Sequence, residues 1–154
     1  MKVIGIDFGT SLCRTALFRN CTVEVIPNRY TVGKLPTLVE FHKGNKHEYD
    51  TNGAHLLPFF FNSIKQKVGC EPFVQFENRE IALIDWASDI FHNLKDDAKK
   101  HINEDICGAV VTVPAFFSDR QRVALKSAAE RGGFSAIRLL DEDISVFMAS
   151  ELHE

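Results

Sequence analysis

Between Ile106 and Val113 the chain runs apolar and rich in β-branched residues, stops at Pro114, and restarts as a helix signal at Ser118. A continuous run of this kind reads as a buried strand. Pro114 ends it, having no backbone N–H to give to a ladder. Ser118-Asp119-Arg120-Gln121 then fits a capping box. In such a box Ser118 bonds an early helical N–H while Gln121 reaches back. The helix so begun is predicted to run to about Arg131 and to end at Gly132-Gly133. Residues 136–140 read as a further strand. Strands alternating with helices in this way constrain the chain to an α/β layer sandwich.

The first part of the chain adds a β-meander to that sandwich. Residues 2–8, 12–18 and 22–26 read as three close-spaced strands, the last two joined at Arg19-Asn20. Pro27-Asn28 ends the meander, Gly33 and Pro36 punctuate the following loop, and Thr37 to Phe41 reads as a short strand. Residues 52–68 are apolar but interrupted by Pro58, so one helix or two helical pieces are expected around the proline. The Phe59–Phe61 run reads as the core of a small subdomain rather than a ligand patch. Residues 73–76 and 80–82 are short strand or loop candidates. Leu83, Trp86, Ala87, Ile90, Phe91, Leu94 and Ala98 recur at spacings of three and four and predict a helix with one apolar stripe. Ile144, Phe147, Met148 and Leu152 make a second such stripe near the C-terminus. The expected fold is therefore α/β, with a mixed sheet flanked by helices. Residues 1–37 and 83–154 form its core subdomain, and 38–82 a small inserted subdomain.

A chain of 154 residues suits one domain. Folding at that size buries about 70% of the surface of the unfolded chain. A net charge of −3 argues against nucleic acid as a partner, since such binders carry a basic stripe. No apolar run approaches the length of roughly 20 residues that a membrane helix needs. Asp7 breaks the N-terminal run too early for a signal peptide. Cys13, Cys21, Cys70 and Cys107 form no Cys-x-x-Cys pair and no zinc-finger spacing. They read as reduced thiols of a cytoplasmic protein.

Four places could carry chemistry. The first strand, Val3-Ile4-Gly5-Ile6-Asp7-Phe8, delivers a carboxylate and is followed by Gly9, Thr10 and Ser11. Glycine permits a sharp turn and close approach of an anion, and hydroxyls with backbone N–H groups can grip phosphate oxygens. Asp7 could face a hydrated Mg²⁺. The alternative is a buried strand entering a hairpin, with Asp7 a turn residue. Lys65 is either a phosphate-seeking cation or a solvated helix-end lysine. Pro114 sits at the carboxyl edge of the sheet, where α/β folds bind ligands, or is a simple strand terminator. Asp141-Glu142-Asp143 is either a site feature or an N-cap with first-turn acids.

Together these pieces carry a resemblance. Gly5–Ser11, Val25-Ile26-Pro27-Asn28, Lys65 in Asn62–Gly69, the block Val111-Thr112-Val113-Pro114-Ala115-Phe116-Phe117-Ser118-Asp119-Arg120-Gln121-Arg122, and Ala136-Ile137-Arg138-Leu139-Leu140-Asp141-Glu142 occur in this order. The chain resembles the ATPase domain of the DnaK-type, seventy-kilodalton heat-shock chaperones, most of all their HscC-like branch. The likeness covers essentially the whole chain, least clearly between about 42 and 82. It implies an actin-like, ribonuclease H-like ATPase fold of two lobes, of which this chain looks like the first only. It further implies ATP or ADP with Mg²⁺ as cofactors. By the same resemblance, Asp7 holds Mg²⁺ through water, Gly9, Thr10 and Ser11 form the phosphate loop, and Lys65 positions the γ-phosphate and the attacking water. Pro114 and Arg122 match a proline switch and its arginine relay, and Glu142 a carboxylate near Mg²⁺ that senses nucleotide.

The chain also departs from the family. Leu12-Cys13 replaces a more polar pair, Asp143 stands in place of a proline, and Ile144-Ser145-Val146-Phe147 replaces a threonine and a run of alanines. Larger side chains there imply altered packing of the last helix. The sequence contains no second phosphate loop, adenosine-binding segment, substrate domain or lid, and half a cleft cannot surround a nucleotide. Poor activity alone is thus expected. A second lobe or a co-chaperone is the expected partner, and unfolded polypeptide is one only if a substrate domain is supplied. A non-catalytic interaction module on the same fold is the alternative. An actin-like sugar kinase also opens with Gly-x-Asp-x-Gly-Thr-Ser, but the Val111–Arg122 block matches the chaperones.

Overall fold

A computed structural model describes residues 2–10, 12–27, 35–36, 40–41, 47–48, 64–76 and 79–151. In chain order its elements are β1 (Lys2–Phe8), β2 (Leu12–Arg19), β3 (Thr22–Ile26), β4 (Leu35–Pro36), β5 (Glu40–Phe41), β6 (His47–Glu48), α1 (Ile64–Lys67), β7 (Phe73–Phe76), β8 (Arg79–Ala82), α2 (Leu83–Ile102), β9 (Ile106–Val113), α3 (Asp119–Arg131), β10 (Ala136–Asp141) and α4 (Glu142–Glu151). The expected helical pieces at 52–63 and the Phe59–Phe61 run lie outside the described residues, as do Ser11 and 37–39 of the expected strand at 37–41.

The main sheet has the order β10-β9-β1-β2-β3, with β4 pairing the start of β2. β1, β2 and β3 form the expected antiparallel meander, while β9 and β10 run parallel to β1. This mixed order is the ribonuclease H-like arrangement that the resemblance implies. Parallel neighbours need a crossover, and α2 and α3 supply it. At the hairpin turn Asn20 has φ 54° and Cys21 has φ 59°. A two-residue turn of type I′ requires positive φ at both positions.

Alternation along the strands sets which face is covered. On one face Ile4, Ile6 and Phe8 of β1, Cys13 and Leu17 of β2, and Ala109, Val111 and Val113 of β9 are buried. The apolar stripe of α2 meets them, with Trp86, Ala87, Ile90, Phe91, Leu94 and Ala98 all buried. Phe91 stacks on Phe8 at 5.0 Å between ring centroids and meets Phe134 edge-on at 6.4 Å. These rings lock α2 onto the central strand. At its far end α2 is tied to the edge strand by His101 Nε2 and Glu24 Oε1, 2.7 Å apart. That hydrogen bond, with Arg19 nearby, holds the Glu24 carboxyl below its usual range. Ile64 and Val68 join the same core, so the C-terminal part of the 38–82 segment is anchored to it.

The opposite face is open among the described residues. Val3, Phe18, Val23 and Val25 are each at least half exposed there. Of the apolar stripe read in α4, Leu152 lies outside the described residues, Ile144, Phe147 and Met148 are exposed, and no residue of the helix is buried. An amphipathic stripe is buried only where another element stands against it. Among the described residues α4 meets chiefly the ends of β9 and β10. All four cysteines are free thiols; Cys13 is buried, Cys107 half-buried, Cys21 and Cys70 exposed.

Candidate functional site

The three parallel strands are in register at their carboxyl ends. Asp7 pairs with Thr112, and Asp141 pairs with Val113. The residues leaving these strands (Gly9, Pro114 and Glu142) therefore gather at one edge of the sheet. Open α/β sheets bind their ligands at that edge.

Asp7 is the penultimate residue of β1, and its carboxylate is half exposed. Its Oδ1 lies 3.5 Å from the Thr112 hydroxyl, and its Oδ2 3.4 Å from the Arg14 guanidinium. Both contacts are long, which leaves the carboxylate open to a further ligand. Gly9 is sterically required: a Cβ there would lie 2.3 Å from the Leu12 carbonyl oxygen. Thr10 follows at the bend, half-buried.

Lys65 is delivered from the other side by α1. It is 5% exposed, and its Nζ donates to Glu142 Oε1 at the first position of α4. A buried ammonium needs such a partner, because an unpaired charge in the interior is strongly destabilising. The segment carrying Lys65 is held against the start of α3. Gly69 has φ +80°, and a Cβ on it would lie 2.7 Å from the Gln121 Cα. The Gln121 side-chain amide donates to the Gln66 carbonyl at 3.0 Å. The same Gln121 completes the capping box read from the sequence: its N–H donates to the Ser118 hydroxyl, and its Oε1 accepts from the Ser118 N–H at 3.1 Å.

Pro114 is buried where β9 ends. Arg122, one turn into α3, folds back over the loop that follows it. Its Nε donates to the Phe117 carbonyl at 3.2 Å, and its Nη2 lies near the Pro114 and Ala115 carbonyls at 3.4 and 3.3 Å. The same Nη2 donates to Asp141 Oδ1 at 2.7 Å.

Asp7, Gly9, Thr10, Pro114, Arg122, Glu142 and Lys65 thus come from four parts of the chain to one sheet edge. Ser11 lies outside the described residues. Sequence reasoning gave no role at this edge to Arg14, Thr112, Gly69 or Gln66, and it left Asp141 open between a site feature and a helix cap. A signal existed only for Gly69, a glycine placed just after the Lys65 helix.

The donor set suits magnesium. Among the described residues no group of three or more His, Cys, Asp or Glu side chains is placed to hold a metal ion. Mg²⁺ rarely needs one, since it keeps several waters and takes one or two carboxylates plus substrate phosphates. Asp7 offers such an open carboxylate beside the Gly9 turn. Among the described residues no helix is long and apolar enough to cross a membrane.

The family model described as Hsp70 protein matches residues 49–153. The chaperone protein DnaK of Thermosipho melanesiensis is 31% identical over 96% of this chain, and the chain spans 26% of that relative's length. With more than half of the chain matched and the expected sheet in place, the chain belongs to the Hsp70 family, and its α/β fold is that of an actin-like ATPase lobe.

Proposed function

We propose that this chain is the Mg-ATP-binding first lobe of a DnaK-like chaperone ATPase, of the HscC-like branch, working in the cytoplasm. The observation that carries the reading is the buried Lys65, held by Glu142 at the same sheet edge as the open Asp7 carboxylate and the Gly9 turn. Phosphoryl transfer depends mainly on positioning and charge neutralisation, and these are the parts it uses. ATP with Mg²⁺ supplies the transferable phosphoryl group and its charge shield. Asp7 orients the hydrated cation, and the backbone at Gly9 and Thr10, with Ser11 next in sequence, grips phosphate oxygens. An ammonium has three N–H donors. The pair with Glu142 uses one, so Lys65 keeps donors for a γ-phosphate and the attacking water. Glu142 reports occupancy through Lys65, and Pro114 with Arg122 passes it on to a substrate domain.

A single lobe leaves the nucleotide half covered, so affinity and turnover are low until a second lobe, on the same or another chain, completes the cleft. A second lobe or a co-chaperone is then the direct partner, and unfolded polypeptide the eventual client. Calorimetric titration of the whole chain tests this. Mg-ATP is expected to bind more weakly than about 0.1 mM, with little hydrolysis, and Lys65→Met abolishes the heat. Micromolar binding with steady turnover overturns the half-site. No heat at saturating Mg-ATP overturns the nucleotide reading.

A further inference from the structure

Lys65, Arg122 and Arg14 all stand beside carboxylates of the sheet edge, but they are not equally engaged. Lys65 is buried and bonded to Glu142, and Arg122 donates to Asp141 at 2.7 Å. Arg14 is half exposed, and its Nη1 lies 3.4 Å from Asp7 Oδ2. A charge-assisted N–H···O bond usually measures about 2.7–2.9 Å. Asp7 therefore holds Arg14 loosely. A guanidinium has five N–H donors in a fixed fork, and this contact occupies one nitrogen of it.

The ladder places Arg14 at the candidate site. It is the β2 residue directly across from Asp7 in the antiparallel pairing with β1. Opposed residues of such a pair put their side chains on the same face. The Gly9 turn joins these two strands. The guanidinium thus stands beside the turn, on the face of the Asp7 carboxylate.

Charge gives this placement a meaning. The charges of Lys65 and Arg122 are matched by Glu142 and Asp141. Asp7 alone would repel a polyphosphate that arrives without a cation, because like charges at close range oppose each other. Arg14 offsets that repulsion. Its planar fork also fits a phosphate through two parallel N–H donors, which an ammonium cannot do.

We propose that Arg14 is a phosphate-binding residue of this site, taking the polyphosphate of a nucleotide through its guanidinium, and that it allows this binding without Mg²⁺. The identity of the ligand as a nucleotide rests on the reading above. The affinity for polyphosphate rests on Arg14, Asp7 and the Gly9 turn.

Titrations of the whole, isotopically labelled chain test it, followed by amide chemical shifts at constant ionic strength. The probes are ATP and inorganic tripolyphosphate, each in excess Mg²⁺ and in EDTA. In the wild type, removing Mg²⁺ is expected to weaken ATP binding by no more than about threefold. Arg14→Gln is expected to weaken Mg-free binding of both probes by about tenfold, the lower end for a hydrogen bond to a charged group, and Mg-ATP binding by less. Arg14→Lys keeps the charge and loses the fork, and is expected to weaken Mg-free binding by about threefold. Arg14 lies outside the core, so the melting temperature of both variants is expected to match the wild type within about 2 °C. Should Arg14→Gln fail to fold, the wild type and Arg14→Lys decide.

Mg-free affinity that is unchanged in the variants overturns the proposal. So does Arg14→Gln tightening Mg-ATP while leaving Mg-free binding alone, since Arg14 would then only compete with Mg²⁺ for Asp7. If the wild type binds ATP in Mg²⁺ and not in EDTA, the proposal fails and the nucleotide reading stands. If tripolyphosphate binds in EDTA and is weakened by Arg14→Gln while ATP does not bind, the nucleotide reading fails and the phosphate site stands. Binding of neither probe under any condition overturns both.

Discussion

Two glycines decide whether the sheet edge can exist at all, and they do so differently. Gly9 is excluded from having a side chain by its neighbour: the Leu12 carbonyl occupies the place a methyl would take. Gly69 is excluded twice, by its positive φ and by the backbone of Gln121. The first fixes the turn after Asp7, the second the approach of the Lys65 helix to α3. Gly9→Ala should therefore force the turn open. We expect the urea midpoint to fall by an amount equivalent to about 1–3 kcal/mol, the usual cost of overpacking a tight site. An unchanged midpoint would mean that the turn relaxes freely. Lys65 adds a third constraint of another kind: a buried ammonium requires a carboxylate beside it, and Glu142 supplies it.

Among the elements, α3 depends most visibly on its first residues. Its capping box satisfies N–H groups that the helix cannot satisfy internally. Ser118→Ala should cost about 1 kcal/mol, a fall in melting temperature of about 2–4 °C for a domain of this size. A loss of helical circular dichroism confined to the onset of melting would accompany it; no shift would mean that the Gln121 contacts suffice. The same element shows why so much was legible in the sequence. The bounds of β3 and β9, the start of α3 at its box and its end at Arg131 follow from period and punctuation, which are local. The partners that make the site are not local. Lys65 and Glu142 are 77 residues apart, and Arg122 and Asp141 are 19 apart. Motif order could assign Lys65 and Glu142 to one site by resemblance. Nothing in the local pattern says that Asp141 turns toward Arg122 and not toward its own helix. For α4 the spacing predicts the helix, which is local, and not what stands against it, which is not.

On the scale of the molecule, one face of the sheet is closed by α2 and α3, and the other is open among the described residues. Ala16 pairs with Val25 and Phe18 with Val23, so exposed side chains on β2 and β3 lie side by side. A contiguous apolar patch is uncommon on a folded monomer and takes up apolar dyes. We expect the native chain to enhance anilinonaphthalene sulfonate fluorescence. Phe18→Ser and Val25→Thr together should remove more than about half of that signal without lowering the melting temperature by more than a few degrees. An undiminished signal would place the dye elsewhere.

The parallel pairing of β1 with β9 has a consequence in time. Lys2 pairs with Ile106, so the central strand of the sheet is made first and its neighbour more than a hundred residues later. At about 5–20 residues per second of synthesis, β1 waits roughly 5–20 s with one edge unpaired. During that interval the β2–β3 hairpin can shield only the other edge. The stretch Lys2–Phe8 is therefore the part of this chain most exposed to wrong pairing while it is being made.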